Sequence, residues 1–292
     1  MQIAFSSSDL VGKKWARSLA ADIHVGLHRK LREGRPIDEK YLPYLTPAHP
    51  FLVGLFDSSA WVFRHSVIVG SVAASASAKV PGVNPDRVRL LGYAHDGGKM
   101  YRTDLYSEED GQGSRANPKK IETFTDLRIM LDHPRLSQKY AWGFGLPDDI
   151  CDLLVEHHGT VKTRIRLSEN VKRGHPEEAF LYCGPRPSTK ESAIVMCADS
   201  ISAFFEKKMD EQRWSQEKAP VAYISEIVGR IHGELQKEEQ LDEKVISLAD
   251  QKIVMEGIKT WLVRFYSGMR LFGTPQSGEH IRDGRFLPWP KY

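Results

Sequence analysis

An all-α fold is predicted by three features of the chain. Apolar residues recur at helical spacing over most of its length, no convincing succession of alternating strands interrupts them, and Pro or Gly residues cut the pattern into segments of helix length. With 292 residues, 41% hydrophobic and 27% charged, the chain is long enough for one large domain or two modest ones with a real core.

Each element has its own signal. A first helix is expected from about residue 10 to 32: Asp9 can cap it, and Val11, Trp15, Leu19, Ile23, Leu27 and Leu31 recur every fourth residue until Gly34 and Pro36. The proline-rich connector YLPYLTPAHPF leads to a second helix, about 59 to 79, stopped by Pro81-Gly82. Asp86 can cap the next, which carries Val88, Leu91 and Tyr93 towards His95. The polar stretch 101–118 reads as a loop, and loops of that length are often functional. Helical patterns resume over about 120–140 and 147–158, with Pro147 suited to a first turn, and a second polar loop covers 159–187. Three further helices are expected over 189–208, 220–239 and 248–269, and the Gly- and Pro-rich tail 273–292 reads as irregular.

Composition narrows the function classes. A net charge of +3 gives no signature of nucleic acid or of an anionic membrane as partner. Cys151, Cys183 and Cys197 are odd in number and far apart, against a disulfide framework or a zinc–thiolate site, so a reducing cytoplasm is expected. The N-terminal stretch MQIAFSSSDLVGKKWARSL is too short in apolar residues for a signal peptide, and no run approaches the ~20 apolar residues that span a bilayer. The longest candidate, 67–78, carries three serines and reads as the small-residue face of a packed helix.

The chemistry lies in histidines and aspartates. His95-Asp96 is an adjacent imidazole and carboxylate, donors that suit borderline divalent cations, and a carboxylate has two oxygens with which to bridge two ions. Alone the pair means little. His65 precedes it on another helix, His133 stands in LDHP, and His157-His158 form a consecutive pair in EHHGT. Asp199 sits in the otherwise apolar AIVMCADSISAFF, where an unpaired charge is costly and a cation is a natural partner. His24, His28, His49, His175, His232 and His280 read as ordinary helix or surface histidines.

In this combination RHSVIVG, AHDGGKM, EHHGT and the ADS of MCADS resemble the ligand series of HD-domain phosphohydrolases. YCGPRPSTKESAIVMCADS and QLDEKVISLADQKIV are similar to segments of one branch, the membrane-anchored, seven-transmembrane cyclic-di-AMP phosphodiesterases. The resemblance covers roughly residues 60–269. It implies an HD-domain helical bundle over 56–272, preceded by an N-terminal helical extension, 1–55, and followed by the tail. It also implies a binuclear centre in which His65, His95, Asp96 and Asp199 hold one divalent ion and Asp96, His133, His157 and His158 the other. Manganese or iron fits such nitrogen-rich sites best, with zinc, cobalt and nickel as further candidates. A bridging hydroxide would then attack phosphorus in line, with Lys99 on a phosphate oxygen and Tyr182, Gly184 and Pro185 beside the substrate.

The chain departs from that branch in places. The family's extracellular and transmembrane parts have no counterpart here, so its membrane anchoring and sensory input are not implied. Gly97 replaces the usual isoleucine of the HD turn, which should make HDGGK more flexible. Asn117-Pro118-Lys119-Lys120 replaces Asn-Pro-His-Asp beside the substrate cleft. The implied activity is hydrolysis of a cyclic dinucleotide, cyclic-di-AMP to its linear form. The alternatives are another nucleotide substrate (a mononucleotide, a dNTP or an alarmone) or a non-catalytic nucleotide-sensing module.

Overall fold

A computed structural model describes residues 38–46, 49–106, 108–109, 115–116, 121–163, 167–210 and 220–271. The expected helix 10–32, the tail 273–292 and the segment Asn117–Lys120 lie outside the described residues. The regular structure described is helical, as expected, apart from a two-residue antiparallel ladder, β1 (Glu108–Glu109) with β2 (Arg115–Ala116), inside the predicted 101–118 loop, and the isolated bridges Ile121–Leu167 and Lys162–Leu181. Among the described residues no helix is long and apolar enough to cross a membrane.

The proline-rich connector ends earlier than expected. Pro50 occupies the first turn of α1 (Pro50–Ser58), where its missing N–H costs nothing, and His49 Nδ1 accepts the Phe51 amide at 3.3 Å. α1 buries Phe51, Leu52, Val53 and Leu55 in the main core, beside Tyr41 and Leu45 of the connector. Ser59 then breaks the helix in an extended conformation and caps α2 (Ala60–Ser77) through the Val62 amide.

α3 (Pro85–Ala94) is capped by Asn84, which accepts the Asp86 amide at 3.0 Å, so the expected cap Asp86 falls instead in the first turn. There its carboxylate meets the positive end of the helix dipole. α2 and α3 cross almost backbone to backbone: a Cβ on Gly70 would lie 2.4 Å from the Tyr93 ring, and one on Gly92 2.5 Å from the Gly70 Cα. That approach brings the middle of α2, with His65, against the end of α3 at His95.

The expected helix 120–140 is two helices, α4 (Phe124–Leu131) and α5 (His133–Gly143). Pro134 cannot donate into a continuing ladder but suits a first turn, so the chain restarts at His133. Similarly, 147–158 resolves into α6 (Asp148–Cys151) and a 3₁₀ turn, Leu154–Glu156, that ends on His157 and His158. The 159–187 loop contains one short helix, α7 (Glu169–Lys172), capped by Ser168, and a 3₁₀ turn at Glu177–Phe180. With residues from 105–131 it closes a second apolar cluster that includes Leu105, Tyr106, Leu127, Phe180 and Tyr182.

The last three helices fall close to expectation: α8 (Lys190–Asp210), α9 (Pro220–Lys237) and α10 (Leu248–Leu271). α8 and α10 pack on α2, where a Cβ on Gly257 would come within 2.6 Å of the Ala76 Cα. Asp199 thus enters the core from α8, facing the His65 helix.

Candidate metal centre

All seven acidic and imidazole groups singled out from the sequence meet in one buried place. Asp96 is fully buried at its centre. Its Oδ1 lies 3.2 Å from His133 Nε2 and 3.9 Å from His157 Nε2; its Oδ2 lies 3.3 Å from His95 Nε2 and 3.8 Å from His65 Nε2. Asp199 Oδ1 is 3.0 Å from His65 Nε2 and 3.7 Å from His95 Nε2, while its Oδ2 is 3.6 Å from His158 Nδ1. The donor atoms fall into two compact groups, His65–His95–Asp199 and His133–His157–His158, each able to hold a metal ion, with one oxygen of Asp96 turned to each.

The rings are set by their outward nitrogens. His95, His133 and His157 donate Nδ1–H to the carbonyls of Gly92, Met130 and Leu154 at 2.7, 2.7 and 2.6 Å. Each acceptor lies three residues earlier, so the local turn itself holds Nδ1–H and turns Nε2 inward. Ser137 on α5 ties the HD turn to this frame: its hydroxyl bonds the carbonyls of His95 and His133 at 2.6 and 2.9 Å and accepts the Gly98 amide at 2.8 Å. Gly98 must be glycine for this approach, since a Cβ there would sit 2.1 Å from the His133 carbonyl oxygen.

Gly97 behaves differently from the expectation of a flexible turn. It lies in the 3₁₀ segment Gly97–Tyr101, and a Cβ on it would meet the Phe51 ring at 2.5 Å. The side chain missing at 97 makes room for a ring delivered by α1.

Electrostatics divide the two groups. Burial pushes His158 down to about 3, against the pull of Asp199, and holds His157 well below its ordinary value with the help of neighbouring His158, His95 and His133. Burial also lowers His133. Burial opposes charge on His95 too, but Asp96 and Asp199 outweigh it and raise that imidazole to about 10; Glu206 and Asp199 likewise raise His65. For Asp96, burial would raise the carboxyl, yet His95 and Lys99 hold it well below the usual carboxylate range. Among the described residues, His95 Nε2 and Asp96 Oδ1 are buried without an aligned hydrogen-bond partner, although oppositely charged atoms lie near. Inward-facing imidazole nitrogens and carboxylates left over in this way are a donor set that fits divalent transition metals.

The other predicted residues surround this core. Lys99 Nζ donates to Asp96 Oδ2 at 2.5 Å and stands over the Tyr106 ring, 5.3 Å from its centre. Tyr182 is buried with its ring 4.2 Å from His158 and 5.8 Å from His133. Gly184 packs on the Val155 carbonyl and Pro185 is exposed. Sequence reasoning missed Ser137, Tyr106, Glu206 and Gln240. Glu206 had a signal, since two helical turns beyond Asp199 it shares the same face. Tyr106 packs against His133, and its buried hydroxyl has no partner among the described residues. Gln240 clamps the turn after His158, accepting the Thr160 amide and donating to its hydroxyl, both at 3.0 Å. Those contacts join the turn to the α9–α10 connection, and no local pattern announces them.

A helical core that gathers an adjacent His-Asp pair and distant histidines around shared carboxylates defines a class, and residues 62–204 match the family model described as HD domain. Over those residues the chain has the helical architecture of an HD domain. It is 29% identical to the cyclic-di-AMP phosphodiesterase PgpH of Bacillus subtilis over 167 residues, covering 56% of this chain and 23% of that protein. To the PgpH of Listeria monocytogenes it is 28% identical over 224 residues, 75% of this chain and 30% of the relative. The chain therefore spans less than a third of the length of these relatives. The crystal structure of the L. monocytogenes PgpH HD domain in complex with cyclic-di-AMP superposes with a TM-score of 0.62 at 25% identity, covering 75% of this chain and 97% of that one.

Proposed function

We propose that this protein is a metal-dependent phosphodiesterase that opens a cyclic dinucleotide, converting cyclic-di-AMP to the linear dinucleotide in the cytoplasm. The observation that carries the reading is the posture of Asp96, one carboxylate oxygen at 3.2 Å from His133 and the other at 3.3 Å from His95, in a chain similar to the PgpH enzymes. His65, His95, Asp96 and Asp199 would hold one divalent ion and Asp96, His133, His157 and His158 the other, manganese or iron by donor type. Two such ions, when bound, acidify a water and stabilise the entering and leaving oxygens of an in-line displacement.

The chain's own residues supply the rest. Asp96, ionised by its surroundings, carries charge to both positions without a proton to lose. His133, His157 and His158 are held neutral and so present lone pairs at neutral pH. Lys99, bonded to Asp96 through one of its three donors, has others for a non-bridging phosphate oxygen. In the reaction water oxygen bonds to phosphorus, the phosphorus–sugar oxygen bond breaks, and the leaving oxygen takes a proton. Tyr182, Gly184 and Pro185 would border the substrate, Tyr182 from its place beside His158. The three cysteines are free thiols, which supports a reducing compartment.

The test is metal-reconstituted protein against a panel of cyclic dinucleotides, with products identified by mass. The expected result is metal-dependent conversion of cyclic-di-AMP faster than of cyclic-di-GMP. Turnover of a dNTP or mononucleotide with cyclic-di-AMP untouched would move the substrate while leaving the metal centre standing.

A further inference from the structure

Three of the buried imidazoles around Asp96 rest their Nδ1 on main-chain carbonyls. His65 does not. Its Nδ1 meets Glu206 Oε2 at 2.5 Å, and Glu206 is itself only 2% exposed. Trp61 lies parallel to the same imidazole, centroids 5.6 Å apart and planes within 2°, so the ring is held on its face as well as at its edge. The Arg64 guanidinium stands 3.9 Å from the other Glu206 oxygen but is partly exposed, so solvent weakens its hold on that buried carboxylate.

On the two-ion reading above, we propose that Glu206 is a positioning residue that makes the two metal positions unequal, with the His65–His95–Asp199 position the tighter. A carboxylate that accepts Nδ1–H raises the electron density at Nε2 and fixes its direction; removing such a partner typically costs 10–100-fold in metal affinity. A carbonyl does the same more weakly, because it carries no net charge. The nearby carboxylates act in the same sense, with Lys99 on Asp96 Oδ2 the opposing charge. Asp199 turns Oδ1 to His65 at 3.0 Å, Asp96 adds Oδ2, and Glu206 stands behind His65. The His133–His157–His158 group is faced by Asp96 Oδ1 and, at 3.6 Å from His158, by the second oxygen of Asp199. A dication gains more from the first environment, and the difference enters through a residue that touches neither ion.

The experiment is a stepwise Mn²⁺ titration of the full chain stripped by chelator, with free Mn²⁺ counted by its electron paramagnetic resonance signal. Wild type should take up two equivalents, the first at least about 10-fold more tightly, and Glu206→Gln should weaken that first step by roughly 10–100-fold while leaving the second in place. Glu206→Asp, which keeps the charge one methylene further back, should lose less, again in the first step alone. Thermal unfolding of the metal-free variants separates this effect from a general loss of fold. Equal weakening of both steps, or an unchanged first step in Glu206→Gln, would overturn the proposal. A wild type that binds a single equivalent would instead sink the two-ion reading on which it rests.

Discussion

Glu156 and Ser188 are joined twice: the Ser188 amide donates to Oε2 at 2.8 Å and its hydroxyl to Oε1 at 2.6 Å. Glu156 directly precedes His157, and Ser188 stands two residues before α8, the helix of Asp199. The doubled bond fastens the histidine-pair turn to the segment that leads into the opposite wall of the site. Glu156→Ala leaves both Ser188 donors without their acceptor and should destabilise the metal-free protein by about 2 kcal/mol. Glu156→Gln, able to accept only one of them, should lose about half as much. Urea denaturation of the two variants against wild type measures both, and an unperturbed midpoint in Glu156→Ala would show that the clamp carries no load.

The same seam closes at Gly184, where a Cβ would lie 2.1 Å from the Val155 carbonyl oxygen. Backbone cannot yield as a flexible side-chain tip can, so Gly184→Ala should lower the thermal midpoint and disturb Tyr182 two residues earlier. Gly229 and Gly233, exposed on α9, are the contrast: a Cβ at either meets nothing within 4 Å among the described residues. Gly229→Ala and Gly233→Ala should each stabilise by roughly 0.5–1 kcal/mol, the ordinary helix preference for alanine. Melting curves of the three variants decide whether close approach, not glycine as such, is what position 184 requires.

The cluster of histidines and aspartates and the last three helices were legible because their signals are local. A charged aspartate among Ile194, Val195 and Met196, or a histidine pair before a glycine, is conspicuous against its neighbours. The helix breaks were less so: 3.6-residue periodicity runs through Asp132 unchanged, and only the lost N–H of Pro134 stops the ladder. The supports of the site were not legible. Ser137 reaches His95, Gln240 reaches Thr160 and Phe51 fills the space over Gly97, each across 40 or more residues of chain. Such pairings are set by helix packing, which spacing along one segment does not encode.

The Phe51–Gly97 contact makes a prediction about α1. A methyl on residue 97 would enter the Phe51 ring, so Gly97→Ala should be destabilising by about 1–3 kcal/mol, the usual range for overpacking. Phe51→Leu shortens the ring side and should relieve the clash, leaving the double variant more stable than the sum of the single changes predicts. Independent additivity in this cycle, measured by urea unfolding, would show that Gly97 tolerates a side chain without help from α1.

Lys99 and Asp96 are in direct contact, yet their variants should separate metal from turnover. Asp96→Ala removes the carboxylate that faces both donor groups and should abolish metal occupancy together with hydrolysis. Lys99→Ala removes a cation bonded to Asp96 Oδ2, which relieves repulsion towards a dication, so metal occupancy should hold or rise. Hydrolysis should nevertheless fall by about 100-fold, the order expected for one lost electrostatic donor in a transition state. Elemental analysis beside rates checks the pair; metal lost from Lys99→Ala would place that lysine among the supports of the site.

The pH dependence of the metal-free protein should be two-sided. His158 is pushed down to about 3 in the folded state, and His133 and His157 are also lowered from the ordinary 6.5. Between those folded values and 6.5 the unfolded chain binds more protons, so stability from these groups falls as pH drops through 6.5. His65 and His95 have the opposite sign. Raised in the folded state, His95 to about 10, they stabilise fully below 6.5 and lose that contribution as pH rises towards about 10. Asp96 and Asp199, held well below the usual range, contribute above their ordinary 3.8 and lose it only as acidity reaches their folded values. The thermal midpoint of chelator-stripped protein should therefore peak near pH 6.5 and decline on both sides. Metal binding needs deprotonated ligands, so loading should flatten the alkaline decline and steepen the acid one, where protons compete for the imidazoles. A stripped protein whose midpoint climbs steadily through alkaline pH would mean that His65 and His95 carry no proton between their carboxylates, and the charge division between the two donor groups would have to be redrawn.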